Sequence, residues 1–276
     1  MIKIANISVD NSFPFVLIAG PCQLERLDHS QFMVDHLKRV CERHGVPFVF
    51  KGSFDKANRT SINGKRGVGL HTGLIIMEKI REQFDVPVLT DVHDESQVQS
   101  VAQIVDVIQI PAFLCRQTSL LLEVSKQAKM YRRAVNVKKG QFLAPWDMQH
   151  VADKLTGNGF QDLMLCERGT SFGYNSLVSD LTSLPIMAQT GFPVVYDATH
   201  SVQKPGGLGG SSGGNRDMVP YLARAALAVG CAGLFMETHE DPDNAPSDGP
   251  NMVRLDHMDR LLEHLVQYDR LTKTSI

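Results

Sequence analysis

Cysteine is scarce in this sequence and is not arranged in pairs. The 276 residues include five cysteines, scattered along the chain with no CxxC spacing. Such a set is typical of reduced thiols in a cytosolic protein and argues against a disulfide framework. The sequence has no run of about 18 apolar residues, and its first segment, MIKIANISVDNSFPF, lacks the continuous apolar stretch of a signal peptide. We therefore expect a cytoplasmic protein that does not span a membrane.

An excess of positive charge is also absent. The chain has 28 Lys and Arg against 30 Asp and Glu, for a net charge of −2. Because it also has no long basic run, the electrostatic signature of a nucleic-acid-binding protein is missing. The length suits one (β/α)₈ barrel of roughly 250 residues. We expect residues 1–276 to form a single domain, with a small hairpin within 1–12.

Eight short apolar runs, separated by helix-like segments, dominate the chain. Their continuous apolar character fits parallel strands that are covered on both faces. Eight β-then-α units predict a closed (β/α)₈ TIM barrel, with a doubly wound open sheet as the alternative. Ahead of them, alternating Ile2, Ile4, Ile7 and Val9 predict a short N-terminal β-hairpin that closes the barrel floor. The predicted strands are 15–20, 47–53, 86–92, 105–111, 134–139, 163–168, 193–199 and 233–239, and the helical patterns between and after them include 71–84, 146–158, 219–229 and 258–268.

Each apolar run ends in polar or reactive residues. In barrel enzymes the active site lies at the carboxyl ends of the strands, so eight such endings are expected to converge on one site. A single lysine at a strand end is usually only solvated, but repetition over eight strands favours a functional role. The strand-end residues are Cys22, Lys51, Ser53, Asp91, His93, Gln109, Lys138, Arg168, Asp197, His200, Glu237 and His239.

Several residues of this expected site are cationic. Lys51, Lys56, Lys138 and Arg168, with Arg59 nearby, place positive charge where apolar barrel walls lower the dielectric constant. Anionic ligands offset the repulsion among such groups, and phosphates or carboxylates are the natural candidates. The pattern therefore predicts that the site binds phosphorylated small molecules.

Four residues are candidate ligands of a metal ion. They lie at the ends of the first, seventh and eighth predicted strands (Cys22, His200 and Glu237) and in the loop after the eighth (Asp248). These three strands become neighbours when a barrel closes. A set of Cys, His and carboxylates suits Zn²⁺, Fe²⁺ or Mn²⁺. The alternative is that Cys22 is a small buried apolar residue and His200 an ordinary hydrogen-bonding residue. The spacing alone leaves both interpretations open.

A glycine-rich segment and a set of histidines complete the pattern. The stretch PGGLGGSSGGNR (205–216) is either a flexible linker or a mobile lid, and its place on the catalytic face favours the lid. Six histidines fall in polar helical contexts and are expected at the surface: His29, His36, His44, His150, His257 and His264.

Eight segments together resemble the family of 3-deoxy-D-manno-octulosonate 8-phosphate synthases. They occur in order over nearly the whole chain and include every predicted strand end. The resemblance implies a homotetramer of TIM barrels that acts on phosphoenolpyruvate and arabinose 5-phosphate, on the path to the inner core of bacterial lipopolysaccharide. The segments are IAGPC (18–22), KGSFDKANRTS (51–61), TDVH (90–93), IQIPAFLCRQT (108–118), NVKKGQFLAPWD (136–147), ERGTSFGYN (167–175), YDATHSVQKPGGLG (196–209) and METHEDPDNAPSDGP (236–250).

The same resemblance implies a metal requirement. The metal-dependent form of the family carries Cys in its AGPC motif, where the metal-independent form has Asn, and Cys22 is similar to the first. Cys22, His200, Glu237 and Asp248 would then bind one divalent ion, whether Zn²⁺, Fe²⁺ or Mn²⁺. The DGP sequence at 248–250 is shared with the metal-independent form, but it leaves Asp248 in place.

Roles of the substrate-binding residues also follow from the resemblance. Lys56, Lys138 and Arg168 resemble the residues that clamp phosphoenolpyruvate, and with His200 they are the expected catalytic residues. Further substrate-binding residues beside them are expected to be Lys51, Ser53 and Gln109.

The sugar phosphate is expected to bind at a second group of residues. Asn58, Arg59 and the hydroxyl of Thr60 resemble its binding residues, although the family usually has Ser at the position of Thr60. Arg116 resembles a residue that reaches into the site of a neighbouring subunit.

Three alternative functions differ from this expectation. A related synthase uses erythrose 4-phosphate, but its motif typically reads KPRT where this chain reads KANR (56–59). A lyase on the same fold would form a Schiff base on Lys138 or Lys139. A catalytically silent sugar-phosphate-binding protein would release no phosphate from the two substrates.

Overall fold

A barrel of parallel strands lies at the centre of the molecule. The computed structural model describes residues 1–59, 61–207 and 212–275. The barrel strands are β1 (Val16–Gly20), β2 (Phe48–Lys51), β3 (Val88–Asp91), β4 (Val107–Ile110), β5 (Ala134–Lys138), β6 (Leu163–Glu167), β7 (Val194–Asp197) and β8 (Gly233–His239). They pair in chain order from β1 to β7, and β8 pairs with both β1 and β7, which closes the sheet.

A helix follows each strand and covers the outside of the barrel. These helices are α1 (Leu27–His44), α2 (Leu70–Phe84), α3 (Glu95–Ile104), α4 (Thr118–Tyr131), α5 (Met148–Thr156), α6 (Ser183–Ala188), α7 (Val219–Val229) and α8 (Met258–Ser275). In α1 the buried residues Met33, Leu37, Val40 and Cys41 recur every three or four positions, so one face of the helix packs on the sheet. The helix ends at Gly45, whose left-handed backbone (φ 65°) lets its N–H reach the last carbonyls.

The apolar residues form two cores, one on each face of the sheet. A large cluster fills the space between strands and helices. A smaller one fills the barrel interior and includes Ile18, Val49 and Met164. Because both faces of every strand are buried, the strands are apolar at consecutive positions instead of alternating.

The N-terminal hairpin packs against the interior cluster. Segment Ile2–Ile4 pairs antiparallel with Ile7–Val9, and the side chains of Ile2, Ile4 and Val9 join Val16 and Val195 in that cluster. Since Val16 and Val195 lie at the beginning of their strands, the hairpin covers the amino-terminal end of the barrel. The opposite end, where the strands finish, is left for the site.

The fold prediction is confirmed, and the open-sheet alternative is wrong because β7 pairs with β8. Observed strands are up to two residues shorter at either end than the apolar runs, since the final residues of most runs turn into loops. Among the described residues, no helix combines the length and apolarity needed to cross a membrane.

The glycine-rich segment is partly described. Segment Gln203–Lys204 pairs antiparallel with Gly213–Gly214, so its two ends lie side by side. At Gly214 a Cβ would lie 1.4 Å from Asn251 Oδ1, and only glycine allows this close contact with the loop after β8. Residues 208–211 lie outside the described part of the chain, and the lid stays a prediction.

Candidate active site

The carboxyl ends of the strands open into one cavity of about 540 Å³, a size typical of small-molecule sites. Loops after most of the strands contribute to its wall, as the closed barrel requires. The cavity therefore brings together residues that are far apart in the sequence. The predicted site residues that line it are Lys51, Ser53, Lys56, Asn58, Arg59, Gln109, Lys138, Arg168, His200, Glu237 and Asp248.

The four candidate metal ligands meet at one side of this cavity, where His200, Glu237 and Asp248 line the wall and Cys22 is buried behind it. Cys22 Sγ and one carboxylate oxygen each of Glu237 and Asp248 lie within 4.8 Å of one another. His200 Nε2 lies 3.7 Å from Glu237 Oε2 and 3.7 Å from Asp248 Oδ2. The residues converge because β8 lies between β7 and β1 in the barrel. Asp248 has a left-handed backbone (φ 50°), which is costly for a non-glycine residue and often marks a functional site.

Asp197 orients the histidine of this group. Its Oδ2 lies 2.8 Å from His200 Nδ1, and its Oδ1 accepts the backbone N–H of His200 at 2.9 Å. With the Nδ1 proton directed at Asp197, the Nε2 lone pair faces Glu237 and Asp248, as in metal-binding histidines. Asp197 is fully buried; desolvation raises its pKa, but His200 and Lys138 outweigh that effect and hold the pKa well below its usual range. The sequence marked Asp197 only as a strand-end residue.

Glu237 has one carboxylate oxygen without a donor. Lys51 Nζ donates to Oε1 at 2.7 Å, whereas Oε2 is buried and has no hydrogen-bond partner among the described residues. Desolvation raises the pKa of Glu237, but the charges of Lys51, His200 and Lys56 lower it well below its usual range. An ionised carboxylate with a bare buried oxygen is costly unless a cation or a donor completes it.

Cys22 is buried beside these carboxylates. Burial, with a contribution from Glu237, raises the pKa of its thiol above the usual range, and Sγ lies 3.5 Å from Asp248 Oδ2, to which it donates. A bound cation reverses this balance, because a coordinating thiol is deprotonated. The donor set of sulfur, nitrogen and two carboxylates fits a transition-metal ion.

Arg168 is a buried cation with an unused donor. Its Nη2 donates to Gln203 Oε1 at 2.8 Å, while Nη1 is buried and has no partner among the described residues. Glu167 fixes the turn beneath it, since Glu167 Oε1 accepts the backbone N–H groups of Arg168 and Gly169 at 3.0 and 2.6 Å. Glu167 is the last residue of β6 and begins the ERGTSFGYN segment, but no role was predicted for it.

The lysines are more fully paired than the sequence suggests. Lys138 Nζ lies 2.5 Å from Asp197 Oδ2, and Lys51 Nζ donates to Glu237 and to Pro21 O. Lys56 Nζ donates to Ser53 Oγ at 3.0 Å and lies 3.9 Å from Glu237 Oε1. Two buried acids thus neutralise part of the charge, and Lys56 and Arg168 are the cations with most capacity left for an anion.

Neutral groups complete the wall of the cavity. Gln109 Oε1 accepts from Asn136 Nδ2 at 3.0 Å, so the Gln109 amide N–H₂ is left for a ligand. Arg59 donates to Ser247 Oγ at 2.8 Å and to Gln23 Oε1 at 3.0 Å. Arg59 thereby connects the loop after β2 to the loop that carries Asp248.

Of the other three residues of the predicted sugar-phosphate site, one lines the cavity, one is not part of its wall, and one lies outside the described residues. Asn58 is exposed and lines the cavity. Arg116 is exposed and is not part of the wall of this cavity. Thr60 lies outside the described residues.

Comparison with known proteins identifies relatives over the full length of the chain. A model of the DAHP synthetase I family matches residues 2–274. The chain is 57% identical over 273 residues to a 2-dehydro-3-deoxyphosphooctonate aldolase of Rickettsia bellii, covering 99% of this chain and 98% of that protein. Proteins of the same name from Bartonella henselae (56% over 276 residues; 100% and 98% covered) and Brucella anthropi (58% over 272 residues; 99% and 97% covered) are equally similar.

Proposed function

Since the chain belongs to the DAHP synthetase I family, we propose that it is an enzyme that condenses phosphoenolpyruvate with D-arabinose 5-phosphate and water. The products are 3-deoxy-D-manno-octulosonate 8-phosphate and inorganic phosphate, in the synthesis of the lipopolysaccharide inner core. The observation that carries the proposal is the full-length identity of 56–58% to relatives named for this octulosonate phosphate. The cavity provides what two phosphorylated, anionic substrates require.

The phosphoenolpyruvate phosphate binds at the buried cations. Arg168 offers an unpartnered Nη1, and Lys56 and Lys138 lie on the same cavity wall. A charge-assisted contact to phosphate there removes the cost of a buried guanidinium donor without a partner. Asp197 and Ser53 hold the two lysines in place. Lys51 and Gln109 line the same cavity and contribute polar contacts to the same substrate.

The reaction joins the two bound substrates in one orientation. C3 of the enol attacks the aldehyde carbon of the sugar, water adds at C2 as positive charge develops there, and the resulting hemiketal phosphate loses inorganic phosphate. Holding the two reactants in register supplies up to about 7–11 kcal/mol in well-oriented systems. The paired acids offset part of the lysine charge in the cavity before substrate binds.

The Cys22 group fits one divalent metal ion. The bare Oε2 of Glu237 and the four mixed donors support this assignment, and Zn²⁺, Fe²⁺ and Mn²⁺ are all compatible with it. Such an ion supplies Lewis-acid polarisation or a water of lowered pKa. His200 is held by Asp197 for this purpose, and Lys51 balances the charge of Glu237.

The sugar phosphate binds at Asn58 and Arg59, which line the cavity, and the roles proposed for Thr60 and for Arg116 of a neighbouring subunit complete this group. The exposure of Arg116 outside its own cavity supports that role.

Apolar residues on the loops after β4, β5 and β6 support a homo-oligomer, proposed to be a tetramer, because a subunit interface would bury them. A cytoplasmic location remains a prediction. The exposed residues on these loops are Phe113, Phe142, Trp146, Phe172 and Tyr174.

A phosphate-release assay tests the proposal. With phosphoenolpyruvate present, we expect release with arabinose 5-phosphate and little with erythrose 4-phosphate; the opposite preference, or no release, contradicts it. Borohydride reduction with substrate should trap no adduct. The structure already disfavours Lys139 as a Schiff-base nucleophile, since its Nζ is buried and donates to Leu143 O and Thr170 Oγ1.

A further inference from the structure

A second cluster of metal-binding side chains lies outside the cavity. Glu25, His29 and His239 each bring one ligand atom within 4.8 Å of the others, and none of them lines the cavity. Glu25 follows β1, His29 lies in the first turn of α1, and His239 ends β8. His29 was predicted at the surface, and that prediction is wrong: the residue is 8% exposed, and the centroid of its ring lies 4.9 Å from that of His239.

His29 has an unused nitrogen in this buried position. Its Nε2 lies 2.9 Å from Glu240 Oε2, whereas Nδ1 is buried and has no hydrogen-bond partner among the described residues. With the Nε2 proton on Glu240, the Nδ1 lone pair is available to a cation, which is the arrangement of a metal-bound histidine.

His239 needs one local change to bind a cation. In the metal-free state its Nδ1 accepts the backbone N–H of Asp241 at 3.0 Å, and Nε2 donates to Glu25 Oε1 at 3.0 Å. If the ring proton moves to Nδ1, it faces Glu240 Oε2 at 3.3 Å and Nε2 becomes a ligand beside Glu25. This shift of the proton breaks the hydrogen bond that the backbone N–H of Asp241 donates to His239 Nδ1. The imidazole of His239 stays neutral.

We propose that Glu25, His29 and His239 form a second divalent-cation site, with Glu240 accepting the other N–H of both histidines. Two imidazoles and one carboxylate suit Zn²⁺, with a water in the fourth position. The cation would connect the first turn of α1 to the end of β8, from which the loop bearing Asp248 begins. It is separate from the Cys22 group and does not depend on that group binding metal.

Zinc stoichiometry tests the site directly. Metal-free parent protein and variants are dialysed against Zn²⁺ alone, and bound zinc is measured by elemental analysis. We expect Cys22→Ala to retain one equivalent and the double variant Cys22→Ala/His29→Gln to lose it. A Zn²⁺-dependent rise in Tm should disappear with that equivalent. His44→Gln is the matched control, since His44 lies on the same helix and is also paired with a carboxylate, that of Asp259.

The zinc stoichiometry of these variants decides whether the second cation site exists. If Cys22→Ala binds no zinc, or if His29→Gln and Glu25→Gln both keep the parent stoichiometry, the cluster is only a hydrogen-bonded network and the proposal is wrong. Glu25 is partly exposed, so Glu25→Gln decides the question if His29→Gln fails to fold. In cobalt-loaded protein the thiolate charge-transfer band reports the Cys22 group separately. Absence of that band would count against the first metal site and leave the second intact.

Discussion

Asp197 is the residue whose replacement should disturb the site most broadly. It is fully buried and pairs with Lys138 Nζ at 2.5 Å and with His200 Nδ1 at 2.8 Å. Asp197→Asn keeps the size of the side chain and an oxygen for the backbone N–H of His200, but removes the charge. Lys138, a buried cation, then loses its counter-ion, and the His200 ring loses its fixed orientation.

The expected loss of stability follows from these two contacts. A hydrogen bond to a charged group contributes about 1.5–3 kcal/mol, and removing one partner of a buried pair typically costs about 3–5 kcal/mol. Because Asn also avoids burying a charge, we expect the lower end, a loss of about 3 kcal/mol in the free energy of unfolding at neutral pH. Zinc affinity at the Cys22 group should fall about 10–100-fold, as when a carboxylate behind a histidine ligand is removed.

The contribution of Asp197 to the free energy of unfolding should change with pH in a definite direction. The pKa of Asp197 is lowered on folding, so its stabilisation is fully present above the ordinary value of 3.8 and is lost as the pH falls below it. The difference between parent and Asp197→Asn should therefore shrink in acid. Asp269 is the matched control: it is also buried, but burial raises its pKa. Asp269→Asn should cost much less and leave zinc affinity unchanged.

Denaturant unfolding at fixed protein concentration, together with zinc dialysis, measures both effects. The reasoning is refuted if Asp197→Asn and Asp269→Asn are equally stable at neutral pH and bind zinc with the affinity of the parent. Loss of stability without loss of zinc affinity would show that Asp197 only neutralises Lys138. The oligomeric state must be matched between samples, because assembly shifts apparent stability.

Three further predictions concern the proposed chemistry. Arg168→Ala should cost about 2–4 kcal/mol of transition-state stabilisation, and turnover within threefold of the parent would contradict the phosphate contact. Arg116→Ala subunits mixed with Arg168→Ala subunits should recover part of the activity, and no recovery after confirmed exchange would argue against a shared site. Chelation should abolish turnover without unfolding the barrel, whereas Cys22→Asn, which carries the residue of the metal-independent form, should leave partial, chelator-resistant activity. Full activity of the parent after verified chelation would exclude the metal requirement.

The sequence by itself determined the barrel and many of the residues that line its cavity. Strands buried on both faces must be apolar at consecutive positions, so runs such as 163–168 and 233–239 were visible without coordinates. The carboxyl ends of barrel strands share one face, so polar residues that end the runs, such as Lys138 and His200, were expected to meet. Both rules concern residues within one strand or directly after it, which is why the sequence pattern was sufficient to predict the strands and the residues at their ends.

Only the tertiary structure decided which of these groups pair and which are left unpaired. Lys138 and Asp197 stand on strands that are not neighbours, and their contact at 2.5 Å depends on the barrel diameter and on side-chain packing. Glu167 gains its role from the turn it supports, and His29 is buried where its ring packs against that of His239. Electrostatic energy depends on the distance between charges and on their burial, and neither quantity can be read from the sequence.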